Sequence, residues 1–102
     1  MHLIEILLPL YANDGTPQPV GRFRATEREL VERFGGVTTF LRSPARGKWV
    51  REGERVERDE IVTCEVMVES LDPSWWQSYR KELEERFEQD ELVVRSFVIE
   101  KL

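Results

Sequence analysis

Glu29-Leu30-Val31-Glu32-Arg33-Phe34-Gly35-Gly36-Val37-Thr38-Thr39-Phe40 joins a helical pattern to a strand pattern, and its first half returns later as Glu82-Leu83-Glu84-Glu85-Arg86-Phe87. Gly35-Gly36 stops the first helix, because glycine takes the left-handed backbone cheaply. The β-branched run Val37, Thr38, Thr39, followed by Phe40 and Leu41, then opens a strand over 37–42. Each copy of the repeated segment closes a helix that leads into a strand, so the chain reads as two β-α-β halves.

Upstream of this joint, Leu30, Val31 and Phe34 form the apolar stripe of helix one. Thr26-Glu27-Arg28-Glu29 has the spacing of a capping box. An earlier start near Val20 is preferred, since it buries Phe23, worth about 2 kcal/mol, while Glu27 projects its carboxylate to the edge. Residues 11–21 hold Asn13-Asp14-Gly15, Pro17 and Pro19 and read as a loop. Residues 3–10, Leu-Ile-Glu-Ile-Leu-Leu-Pro-Leu, read as strand one. Alternation sends Ile4, Ile6 and Leu8 to one face and Leu3, Glu5 and Leu7 to the other. Pro9 brings no N–H and ends the ladder.

Downstream, Ser43-Pro44-Ala45-Arg46-Gly47 interrupts strand two. Lys48-Trp49-Val50 resumes pairing, and Arg51-Glu52-Gly53-Glu54 is the expected hairpin tip leading through Val56 into strand three, over 60–71. Val62, Cys64, Val66 and Val68 belong against the helices; Ile61, Thr63, Glu65, Met67 and Glu69 take the other face. Asp72-Pro73 supplies an N-cap residue followed by proline at the first helical position. Trp75 or Trp76, Tyr79, Leu83 and Phe87 then recur at four-residue spacing and fix the buried stripe of helix two. Strand four covers 92–101. Arg95 does not suit a helix-covered core, so Leu92, Val94, Ser96 and Val98 point inward and Val93, Arg95, Phe97 and Ile99 outward.

At 102 residues the chain suffices for one core and is too short for two ordinary domains, so a single domain over 1–102 is expected. Hydrophobic residues at 40% with charged residues at 34% describe a soluble globular protein. The longest apolar run, residues 6–10, is far short of a membrane span. A net charge of -5 and a pI near 5.0 disfavour nucleic acid, whose phosphates attract a basic surface. The N-terminal residues lack a secretory pattern, and one cysteine cannot make an internal disulfide. A cytoplasmic location is therefore the expectation.

The order β-α-β-β-α-β implies an α+β split sandwich: an antiparallel four-stranded sheet, order 4-1-3-2, with both helices on one face. The other face would carry Leu3, Glu5, Leu7, Thr39, Leu41, Ile61, Thr63, Glu65, Met67, Val93, Arg95, Phe97 and Ile99. That is more exposed apolar surface than a soluble monomer usually shows. A second copy related by a two-fold axis is the economical cover, so a homodimer is expected.

The Phe34-Gly35-Gly36-Val37-Thr38 joint, the later Gly47-Lys48-Trp49 and the closing Phe87 resemble small uncharacterised bacterial proteins of the ferredoxin-like, dimeric α+β-barrel group. The resemblance spans roughly residues 3 to 102 and implies the ferredoxin-like fold and dimerisation through the sheet. Better-known proteins of that architecture include cofactor-independent monooxygenases and haem-degrading enzymes, with pockets between sheet and helices. Their catalytic motifs have no residue-by-residue match here. His2, the sole histidine, lies at the N-terminus, and no haem ligand, metal or other cofactor is expected.

Two clusters carry candidate chemistry. If strands one and three are central neighbours, Glu5 and Glu65 share the uncovered face and strand four brings Arg95 beside Glu5. Such a trio suits an acid/base pair or a polar network that fixes the register of a dimer. The second cluster is a basic arm, Arg42, Arg46, Lys48, Arg51, Arg55 and Arg58 with Trp49. Arginine forks and an indole there would hold a small anionic ligand. The leading functional reading is a small-molecule-binding dimer with a cleft edged by Glu5, Glu65, Arg95, Arg42 and Trp49. The alternatives are a cofactor-independent acid/base or monooxygenase-like enzyme, and a structural partner subunit.

Overall fold

The computed structural model describes residues 1–42 and 60–102. The elements are β1 (His2–Pro9), α1 (Val20–Phe34), β2 (Thr38–Arg42), β3 (Ile61–Val68), α2 (Pro73–Arg86) and β4 (Val93–Val98). They form an antiparallel four-stranded sheet of order β2-β3-β1-β4 with two helices, the α+β arrangement read from the alternation. The hairpin expected over 48–56 lies outside the described residues.

The punctuation residues act where their chemistry predicts. The Asp72 carboxylate accepts the Trp75 N–H at 3.3 Å, and Pro73 follows as the first helical residue. Gly35 closes α1 with φ 83°, and its N–H donates to the Val31 carbonyl at 2.8 Å. Helix α1 does start at Val20, after Pro19 and without a side-chain cap. Thr26 is therefore not a cap. Its hydroxyl sits inside the helix, donating to the Arg22 carbonyl at 2.8 Å and accepting from Arg86 Nη1 at 2.8 Å.

Arg86 also donates to Glu29 Oε2 at 3.0 Å, so one guanidinium ties the two helices together through a hydroxyl and a carboxylate. Beneath this clamp lies the core. Ile4, Ile6 and Leu8 of β1 and Cys64, Val66 and Val68 of β3 meet Leu30 of α1 and Trp76, Tyr79, Leu83 and Phe87 of α2. Phe34 stacks on Trp76 with centroids 5.1 Å apart, and Phe23 packs against Phe87 at 5.1 Å. Each fully buried aliphatic or aromatic side chain contributes about 1.5–3 kcal/mol. The long β1–α1 loop is tied to the end of α2: Gln18 is buried and donates to the Phe87 carbonyl at 2.9 Å.

One face assignment is corrected. Thr39 pairs with Cys64 and Leu41 with Val62, so both lie on the helix side, while Thr38 and Phe40 stand on the helix-free side. The reason is that 37–41 reads Val-Thr-Thr-Phe-Leu, with no polar–apolar alternation to choose a face. Val98, expected to point inward, is on the helix side by alternation yet 83% exposed. The helices do not cover the end of β4.

Candidate functional site

The helix-free face is built from cross-strand rows, because residues opposite each other in an antiparallel ladder project to the same side. In one row Leu3 of β1 stands between Met67 of β3 and Phe97 of β4. In the next, Glu5 stands between Glu65 and Arg95, with Thr38 of β2 beyond Glu65. In the third, Leu7 stands between Thr63 and Val93, with Phe40 beyond Thr63. A charged row is thus framed by two largely apolar ones.

Glu5 is the anchor of the charged row. Its side chain is 8% exposed and accepts from Arg95 Nε at 2.8 Å, whereas the Arg95 side chain is 47% exposed. The charge-assisted bond joins a buried acceptor to a donor that still reaches solvent. The Arg95 guanidinium also lies 5.5 Å from the centroid of Phe97, bridging the charged row to the apolar row beside it. Glu65 is half-buried and has no ion-pair partner among the described residues. Thr63 is 1% exposed, and its hydroxyl has no hydrogen-bond partner among the described residues. A buried hydroxyl without a partner is costly, commonly about 1–3 kcal/mol.

Three sequence candidates, Glu5, Glu65 and Arg95, are therefore neighbours in one row. Arg42 ends β2 opposite Ile61, two residues along the strand from Phe40. Trp49 and the rest of the basic arm lie outside the described residues. Phe40 and Thr38 were missed as members of this face, for want of alternation in β2. Among the described residues no group of three or more His, Cys, Asp or Glu side chains is placed to hold a metal ion. No helix among them is long and apolar enough to cross a membrane.

Two clefts lie away from the centre of this row. A cleft of about 500 Å³ runs along α1 between Arg24, Arg28, Val31 and Val37. A smaller one of about 170 Å³ lies on the helix side of β4, lined by Leu71, Trp76, Val94 and Ser96 among others, and touches the charged row only at Arg95. Among the described residues no helix covers the row, and neither of these two clefts encloses it. A small ligand there needs a further wall, since such ligands are normally buried over most of their surface.

No family model matches the chain, and no curated protein matches it. Among solved structures, a phage SAM lyase in complex with S-methyl-5'-thioadenosine is similar in fold. The TM-score is 0.64 at 15% identity, over 94% of this chain and 79% of that one. Such a likeness concerns the arrangement of elements, and functional residues have to be argued from this chain's own side chains.

Proposed function

We propose that this protein is a small-molecule-binding domain whose ligand lies on the helix-free sheet face, over the row Arg95–Glu5–Glu65, and is enclosed when a second copy covers that face. The observation that carries the reading is the pairing of Glu5 with both Glu65 and Arg95. In the adjoining row the buried Thr63 hydroxyl has no described partner. Carboxylates accept hydrogen bonds and a guanidinium donates them, so the row suits a ligand rich in hydroxyl or amino groups. Phe97 in the flanking row, 44% exposed, offers an aromatic ring against which a planar group packs.

These features together fit a nucleoside-like ligand, with ribose hydroxyls donating to Glu65 and the base against Phe97. The fold likeness to a phage SAM lyase that holds S-methyl-5'-thioadenosine makes nucleoside thioethers the first class to examine. Titration calorimetry of the purified chain with S-methyl-5'-thioadenosine tests this. Saturable binding that weakens at least tenfold in Glu65→Gln is the expected result. Binding unchanged in Glu65→Gln and in Thr63→Val removes the ligand from this face, and no heat with this or related nucleosides removes the ligand class.

A further inference from the structure

The edge of the sheet at β4 supports an inference separate from the open-face reading. Strand β4, Val93-Val94-Arg95-Ser96-Phe97-Val98, is the outer strand beside β1. It contains no proline, glycine or lysine, and its one charge is held by Glu5. Edge strands are normally protected by such residues, or by bulges or shortness, because a bare row of N–H and C=O groups recruits another strand. Val93 is 47%, Phe97 44% and Val98 83% exposed, so apolar side chains are uncovered on both faces of this edge.

The ladder tells which groups are free. The Ile99 N–H donates to the Met1 carbonyl at 3.0 Å. In the β1–β4 register the mutually bonded pairs are therefore Leu3–Phe97, Glu5–Arg95 and Leu7–Val93. Alternation then turns the N–H and C=O of Val94, Ser96 and Val98 away from β1.

We propose that β4 pairs antiparallel with β4 of a second copy, with the two-fold axis at Ser96. A two-fold perpendicular to the sheet keeps each face on its own side, so only residues of like facing stand opposite each other. With the axis at Ser96, Ser96 meets Ser96, Val94 meets Val98 and Val98 meets Val94. Every outward N–H and C=O of these three residues finds a partner. On the open side Arg95 comes opposite Phe97 of the second copy, a guanidinium beside an aromatic ring. On the helix side the second copy's Val98 arrives next to Val94, at the cleft lined by Leu71 and Trp76. Neighbouring registers fit less well. An axis at Arg95 sets two guanidinium groups opposite each other and brings Val98 to Leu92, whose N–H already donates to Glu84 Oε2 at 2.9 Å. An axis at Phe97 leaves Val94 opposite Glu100, beyond the strand.

Ser96→Cys tests the register directly. Opposed Cα atoms of a bonded pair lie about 5.5 Å apart, within disulfide reach, and the native Cys64 is buried. Mild oxidation is expected to convert most of the Ser96→Cys chain to a covalent dimer. Ser78→Cys, exposed on α2, should remain largely monomeric on the same gel. Ser96→Pro removes an N–H that the β1 ladder does not use, and Ser96→Arg puts two like charges on the axis. Either, with its circular dichroism unchanged, is expected to halve the sedimenting mass. Cross-linking of Ser96→Cys no greater than that of Ser78→Cys overturns the proposal, as does wild-type mass in a folded Ser96→Arg chain. Neither result bears on the ligand titration.

Discussion

Replacing Arg95 with alanine takes away a cation held 2.8 Å from the Glu5 carboxylate, whose side chain is only 8% exposed. Removing one member of a buried pair is costly because the other charge stays in a poor solvent, whereas removing both costs less. Since Arg95 is half exposed, about 1–3 kcal/mol is expected for Arg95→Ala. The double variant Glu5→Gln/Arg95→Ala should lose less than the sum of the single losses. Urea denaturation of the four chains reads the coupling; strict additivity means that the contact does not bind the row together.

Cys64 makes a second prediction at this scale. Burial pushes its thiol up from 9.0 to about 11, opposed by the Thr39 hydroxyl beside it. The unfolded chain therefore ionises first as the pH rises. The contribution of this thiol to stability is complete below pH 9 and is lost between pH 9 and about 11. Urea midpoints of the wild type should fall across that window more steeply than those of Cys64→Ala. Parallel curves would assign the alkaline loss to other groups, among them Tyr79, whose hydroxyl is also shifted upward, first by burial and then by the Glu29 charge.

Among the elements, the most legible were those whose ends carry a specific chemical signal. Asp72-Pro73 marks the start of α2 because a carboxylate and a missing N–H both suit a helix N-terminus, and the Asp72–Trp75 bond is there. Gly35 marks the end of α1 because φ is positive there. Gly35→Ala is therefore expected to cost about 1 kcal/mol, although nothing lies within 4 Å of the added methyl group. Thermal denaturation checks this, and an unchanged midpoint would mean that the cap relaxes freely. Strands β1 and β3 were legible through alternation, and β4 through the one charge that had to avoid the core. Strand β2 was not. Two threonines followed by two large apolar residues have no preferred side, so its register is set by pairing with β3 rather than by its own pattern. The candidate site inherits this: the Glu5–Arg95 and Glu5–Glu65 neighbours followed from alternation plus strand order, while Phe40 needed the register.

For the whole molecule, the two sides of the sheet differ in what covers them. On one, the α1 and α2 stripes bury Ile4, Ile6, Leu8, Cys64 and Val66 almost completely. On the other, Met67 is 54% and Phe97 44% exposed in the same row, directly beside Leu3. Contiguous apolar surface of this kind normally marks a contact site. It lies next to the row proposed to bind the ligand. Cover and site are linked in the proposed function, in which a second copy over this face is the further wall for the ligand. Sedimentation equilibrium of the wild type beside Met67→Lys, a position on the helix-free face that the β4 edge does not use, tests this central claim most directly. The lysine is expected to halve the associated mass while the circular dichroism spectrum is retained. A wild-type chain that stays monomeric up to millimolar concentration, or a variant with undiminished mass, would contradict it.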